Sequence, residues 1–389
     1  MKKIMCFVVT MIMAFSLCVP AFALNTPYSV DSESNLLALE TFCDRYDVSD
    51  SDIQKMVDAY PDGVSQLKML EQQAEAYDFT AQQVNDYISG MINVDPSVYE
   101  GVYGTLSDDG TTFILPNGDT MPNLSYNKNP EPEDEYGITP YAFTSSYKDV
   151  TSANDQSGVY WNVVSNTGYN QATAFFKLPT VTATTTAPDR PYMFYSVNTT
   201  SSSVCGDYGV VYYPSSRSWY LCANTKVWNS STNSYDNVWW QSKAPLPNEY
   251  YSGAKSLYLH ILIDNTTSKD TVTVTVKDGT SFATLATHPV DFSGNPFNAS
   301  LSNVKIYRSI TMAQDLAPNG LLNTSTGTRA VNSIFSQAYI YSPSGYYTWG
   351  TSQTSTAERR APYQRQLNTI TVNSYTKWNS ENISIMFNQ

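Results

Sequence analysis

Two aromatic segments joined by a tight turn restrict this chain more than any other feature. Between Cys205 and Trp228 the sequence reads CGDYGVVYYPSSRSWYLCANTKVW, with the turn at residues 214–217. Pairing Tyr213 with Ser218 sorts the side chains onto two faces by alternation. Tyr208, Val210, Tyr212, Trp219 and Leu221 share one; Gly209, Val211, Tyr213, Ser218, Tyr220 and Cys222 share the other. Neither set contains a charge. Such a hairpin belongs in a sheet covered on both sides, as in a β-sandwich whose outer face carries a loop, a ligand or a groove. The second face is then either aromatic core or a groove lined by Tyr213 and Tyr220. A slip of one residue in register would exchange the faces.

The same alternation recurs across residues 141–389. Leu257, Leu259, Ile261 and Ile263 point one way, and Tyr258, His260 and Leu262 the other; Val272, Val274 and Val276 answer them from the next segment. Strand after strand with Gly, Pro, Asn and Ser punctuation predicts a mainly β fold, a large two-sheet jelly-roll or concanavalin-like sandwich. The length is too great for one immunoglobulin-like domain of about 100 residues. All seven tryptophans lie here. Adjacent Trp239 and Trp240 must point to opposite faces, and Tyr347 and Trp349 stand beside a glycine turn. Aromatics of this kind either fill a core or stack on sugar rings. Trp239, Trp240, Tyr347 and Trp349 therefore join Tyr213 and Tyr220 as candidate ligand-binding residues.

The N-terminal part differs. Residues 1–23 read as a secretory signal peptide: Met1-Lys2-Lys3, an apolar run, then Ala21-Phe22-Ala23 as the cleavage site. The expected location is extracellular, secreted, with no membrane anchor. Residues 24–95 form a helical hairpin repeat. Leu36, Leu39, Glu40, Tyr46 and Asp47 match Leu67, Leu70, Glu71, Tyr77 and Asp78, and Ser49-x-x-Asp52 and Thr80-x-x-Gln83 are capping boxes. Residues 96–140 are a β-hairpin appendage and an acidic linker, and 141–389 the sandwich. Acidic side chains outnumber basic ones 22 to 4 between residues 24 and 139. That balance argues against a nucleic-acid partner, which needs a basic footprint. The repeat, residues 33–93, is an interaction module for a protein partner, a propeptide or a structural cap. Export permits disulfides, and Cys205 with Cys222 is the one plausible pair, although the hairpin register sets Cys205 opposite Lys226. Cys43 reads as a buried small residue.

Chemistry is sparse. Only two histidines occur, His260 and His288, and neither gathers the partners of a zinc site or a Ser-His-Asp triad. No metal or cofactor is expected. A glycosidase needs paired carboxylates, and the sandwich has only Glu249, Glu358 and Glu381. Arg359, Arg360 and Arg365 form a basic cluster, read as a solvated loop or a docking point. The run Gly158-x-Tyr160, Gly168-Tyr169, Leu178-Pro179, Arg190-Pro191-Tyr192 and Asp207-Tyr208-Gly209 resembles the YrpD-like family of secreted Gram-positive proteins. That resemblance implies no activity and carries over no site. The expected role is non-catalytic binding of glycan or cell-envelope polymer; the alternatives are a polysaccharide-active enzyme and a structural matrix protein.

Overall fold

The computed structural model describes residues 41–59, 63–92, 95–122, 147–152, 157–229, 234–265, 269–292, 295–314, 322–342, 345–376 and 379–388. The signal peptide, the acidic linker and Trp378 lie outside them. The described residues fall into two compact units, one ending before residue 95 and one beginning at Asp95.

The first unit is helical. Residues 41–46 close one helix; α1 (Asp50–Ala59), α2 (Gly63–Tyr77) and α3 (Ala81–Ile92) follow. Asp47 and Asp78 end their helices with φ of 52° and 53°. Behind each, a backbone N–H reaches back five residues, Val48 to Cys43 at 3.0 Å and Phe79 to Ala74 at 2.9 Å, the left-handed helix ending that satisfies orphan carbonyls. Thr80 caps α3 reciprocally with Gln83, and Ser49 accepts from the Asp52 amide to cap α1. Phe42, Met56, Leu67, Leu70, Val84 and Ile88 are buried together with Cys43.

The second unit is a two-sheet β-sandwich, as the alternation requires. Its strands run β1 (Gly101–Leu106), β2 (Thr112–Ile114), β3 (Thr120–Pro122), β4 (Lys148–Thr151), β5 (Gly158–Thr167), β6 (Gln171–Lys177) and β7 (Thr180–Thr182). Next come β8 (Asp189–Thr199), β9 (Val204–Tyr213), β10 (Ser218–Asn229), β11 (Ser234–Ser242), β12 (Leu257–Asp264), β13 (Thr271–Asp278) and β14 (Thr284–Asp291). The last are β15 (Val304–Gln314), β16 (Arg329–Ser342), β17 (Gly345–Thr348), β18 (Thr354–Ala361), β19 (Ile370–Thr376) and β20 (Ser380–Met386). The larger sheet has eleven strands in the order β3-β2-β1-β11-β10-β9-β8-β15-β5-β18-β4. The smaller has nine: β14-β13-β12-β6-β16-β20-β19, with β7 and β17 on β16.

The central hairpin is β9–β10. Tyr213 pairs with Ser218, the register read from the sequence. Its first face, Tyr208 to Leu221, enters the core between the sheets with Trp161, Ile261 and Ile340. Its second face enters a separate apolar cluster beneath Phe113, Leu115 and Met121. Those three come from β2, β3 and the turn between them, so residues 101–122 are no appendage. β1 pairs with β11 and extends the larger sheet, which then turns back over its own outer face. Arg190 Nη2 donates to the Thr120 carbonyl at 3.1 Å and Ser215 Oγ to Asp119 at 3.0 Å, pinning the returning edge.

One ion pair ties sheet to sheet. Arg308 on β15 holds Glu381 on β20 through Nε–Oε1 and Nη2–Oε2 contacts, both 2.6 Å, with both side chains fully buried. The guanidinium lies 4.8 Å from the Trp349 ring, which stacks on Tyr195. Breaking such a pair leaves one charge stranded in hydrocarbon. Arg308→Met should cost about 3–5 kcal/mol in urea denaturation, and adding Glu381→Leu should recover most of it. A double variant no more stable than the single would show that the pair does not act as a unit.

The register also decides the cysteines. Cys205 pairs with Lys226 and Cys222 with Gly209, so the two sulfurs stand on different rungs. Both are free, and the possible Cys205–Cys222 disulfide is not formed; a ladder unbroken from Val204 to Tyr213 cannot bring them within bonding distance. In denaturant without reductant, Cys43, Cys205 and Cys222 should all titrate as thiols; loss of two equivalents would contradict the strand register.

Candidate functional site

The candidate site is an open groove of about 940 Å³ at one end of the smaller sheet. Three segments build it. The helical turn Asn248–Gly253 supplies Glu249 and Tyr250. The turn between β13 and β14 supplies Asp278, Gly279, Thr280 and Ser281, and β16 supplies Ser336 and Gln337. Phe175 of β6 adds an aromatic wall.

Each segment is held locally. Asp278 Oδ1 accepts from the amides of Thr280 at 2.9 Å and Ser281 at 2.6 Å and from Ser281 Oγ at 3.0 Å, an Asx-type turn. Gly279 is required there, since an added Cβ would stand 2.6 Å from the Ser256 carbonyl. The Tyr250 hydroxyl donates to Asp278 Oδ2 at 2.5 Å. These bonds outweigh the burial of Asp278 and hold its carboxyl below the usual range. Burial and that same bond push the Tyr250 phenol up. Lys255 Nζ meets Glu249 Oε1 at 2.6 Å, an exposed pair at the rim. The 248–253 turn is anchored to the central hairpin by Tyr251, whose hydroxyl accepts from the Trp219 amide at 3.0 Å and donates to the Leu246 carbonyl at 2.9 Å. Ser252 (φ 63°) and Gln337 (φ 50°) adopt left-handed backbone that is uncommon outside glycine. At Gln337 the β16–β6 ladder shifts register, and this bulge presents an exposed amide to the groove.

None of the candidate aromatics lies in this groove. Tyr213 and Trp239 are buried in the cluster under the returning edge; the Tyr213 hydroxyl donates to Gln241 Oε1. Tyr220 is half-buried, edge-on to Tyr213 at 5.4 Å. Trp240 points to the other face and stacks on His288 at 3.8 Å between the sheets. Trp349 has no exposed surface and is walled in by Tyr195 and Arg308. A ligand platform on Tyr213, Trp239, Trp240 or Trp349 is thus corrected to core, since all four are buried. Tyr347 alone of the six is exposed, 38%, edge-on to Tyr169 at 6.4 Å. Glu249 was the one groove residue singled out from sequence. The Asp278-Gly279-Thr280-Ser281 turn was not read from the sequence.

The remaining candidates are structural. Arg359 makes a bidentate pair with Asp149, 2.8 and 2.6 Å, and Arg360 meets Glu358 at 3.6 Å. Both arginines sit on β18 rather than in a loop. Among the described residues no three His, Cys, Asp or Glu side chains gather as a metal site. Burial lowers His260 to about 3, with Lys277 adding repulsion, and His288 to about 4. Both are neutral at pH 7.

No family model matches the chain, and no curated protein matches it. Among solved structures, a scytalido-glutamic peptidase bound to a peptide-based transition-state analogue is similar at 10% identity and TM-score 0.33, over 59% of this chain and 98% of that one. SCP-B, a member of the eqolisin family of peptidases, gives 9% and 0.36 over the same shares. An endo-1,3-β-glucanase from Streptomyces sioyaensis gives 13% and 0.23, over 43% of this chain and 55% of that one.

The histidines fix a pH response. Unfolded histidine takes its proton near pH 6.5, whereas folded His288 resists protonation down to about 4. Its contribution is whole above pH 6.5 and is lost as pH falls through that window, by up to about 3 kcal/mol. His288→Phe, which keeps a ring on Trp240, should flatten the decline in Tm between pH 6.5 and 4. An unchanged decline would place the acid sensitivity elsewhere.

Proposed function

We propose that the β-sandwich is a non-catalytic binding module for a glycan or glycan-bearing cell-envelope polymer of the extracellular space, held in the groove around Tyr250 and Asp278. The supporting observation is the groove's wall. It combines the hydroxyls of Ser256, Thr280, Ser281 and Ser336 and the Gln337 amide with one aromatic face, Phe175. Sugars present many hydroxyls and an apolar ring face, and such a wall matches both. Its openness suits a length of polymer better than an enclosed small molecule.

The carboxylates favour binding over hydrolysis. Glycoside cleavage asks for one carboxyl raised to act as acid and a second free to act as base or nucleophile. Asp278 is instead held ionised by four hydrogen bonds. Glu249 is paired with Lys255 at the exposed rim, 2.6 Å apart.

The test is co-sedimentation of the full chain with insoluble cellulose, chitin, peptidoglycan and mucin. Saturable binding to one of them should weaken about tenfold in Gln337→Ala and in Thr280→Ala, the effect of about one lost hydrogen bond each. Binding that both variants leave untouched would move the site out of the groove. Binding to none would leave the N-terminal region read from sequence as a helical repeat, residues 33–93, as the working end.

A further inference from the structure

Away from the groove, the larger sheet runs past the edge of the smaller one. The core-facing side of β10 carries Leu221 and Ala223, and strand pairing continues that side through Trp240 of β11 to Tyr103 of β1. Trp240 is still covered, stacked on His288 of β14, the edge strand of the smaller sheet. Gly101 makes room for it, since an added Cβ there would overlap the indole. Tyr103 stands one strand further out. Its ring is edge-on to His288 at 6.3 Å and 60% exposed. Val238, two residues before Trp240, is exposed on the same side. So is Ile114 of β2, which pairs with exposed Thr105 two residues along β1 from Tyr103. Tyr99 and Leu106 are exposed at the two ends of β1, so five of the six large apolar side chains exposed among the described residues lie at this edge. Scattered exposed apolar residues are ordinary; a group gathered at one edge marks a contact surface.

We propose that Tyr103, flanked by Val238, Ile114 and Thr105, is a stacking platform for a sugar ring of the same polymer that the groove holds. This rests on the glycan reading given above. The platform's size and shape select the occupant. Three apolar side chains fall far short of the roughly 20–30 residues a side that a stable protein interface takes. An open sheet face encloses nothing, so a small apolar ligand would keep half its surface in water. A sugar wants that arrangement: its C–H face covers one aromatic ring while its hydroxyls stay wet or meet a neighbour such as the Thr105 hydroxyl.

One strand joins the platform to the groove. Leu285 of β14 lines the groove, and His288, three residues on, supports Tyr103. At a strand's rise that step covers about 10 Å. A polymer leaving the groove past β14 therefore reaches Tyr103 with little chain to spare, and the second contact is made at high effective concentration.

The experiment is a set of depletion isotherms of the full chain on insoluble cellulose, chitin, peptidoglycan and mucin, with Tyr103→Ala, Tyr103→Phe, Val238→Ser, Gln337→Ala and the double variant of Tyr103→Ala with Gln337→Ala. On the polymer that the wild type binds, Tyr103→Ala should weaken binding about tenfold with an unchanged Tm. Tyr103→Phe keeps the ring and should bind within twofold of wild type. Val238→Ser should weaken binding several-fold, and it serves if Tyr103→Ala melts lower. The double variant should lose more than either single one. Wild-type binding by Tyr103→Ala and Val238→Ser overturns the platform, and if Gln337→Ala still weakens binding the groove reading stands alone. Loss in Tyr103→Ala with none in Gln337→Ala strikes the groove and keeps the platform. Tyr103→Phe as weak as Tyr103→Ala would assign the contact to the hydroxyl and overturn stacking. A dimer in sedimentation velocity that Tyr103→Ala abolishes would make the edge a self-interface and overturn it as well, and binding to no polymer overturns both readings.

Discussion

Everything in the sandwich depends on keeping two unequal sheets in one mutual alignment, and the Arg308–Glu381 pair is the contact that specifies it. Hydrocarbon packing alone is indifferent to small shifts. Val304, Ile306, Ile310 and Met312 on β15 could slide against Ile383 and Ile385 on β20 and still bury the same area. A single charge set in each stripe removes that freedom. A shift of two residues along either strand would leave a guanidinium and a carboxylate separated in a dry interior, at several kcal/mol for each ion. The bidentate geometry and the Trp349 face make the buried pair tolerable. Specificity of alignment, more than added stability, is what such a pair contributes.

The second constraint is width. Eleven strands face nine, so part of the larger sheet has no partner across the core. The chain meets this by turning β1–β3 back over the outer face, where Phe113, Leu115 and Met121 cover Tyr192, Phe194 and Trp239. The uncharged second face of the central hairpin follows from that arrangement. The sheet is covered by its own edge, not by a ligand. Where the cover ends, the outer face of the larger sheet changes from apolar to polar within two residues, from Phe194 to Ser196 and from Gly209 to Asp207.

Much of the fold was legible because alternation is a local signal. The β9–β10 register, the inward Leu257–Ile263 stripe and the sandwich class all follow from the period of two. Covering partners are not local. Nothing near Trp239 in sequence says that Phe113 will lie on it, more than a hundred positions away, so an aromatic on the second face reads equally as core or as platform. The disulfide shows the reverse case. Proximity in sequence suggested it, and the register that sequence also supplied, Cys205 opposite Lys226, already opposed it. The groove was the least legible part. Its wall is built from turns and a bulge, at Asp278–Ser281 and Gln337, where hydrophobic periodicity is silent.

That origin also bears on what the groove can recognise. Its charges are consumed within the protein: Asp278 by its own turn and Tyr250, Glu249 by Lys255. The groups left to face a ligand are small hydroxyls, an amide and one ring. Such a surface discriminates by hydrogen-bond pattern and shape rather than by charge, and each contact is individually weak. A short sugar would gain too little to offset its loss of freedom. A polymer laid along the groove would meet several of these groups in one binding event. On the proposed glycan reading, a wall of small hydroxyls, an amide and one ring suits weak contact spread along a chain of sugars rather than tight capture of a single one.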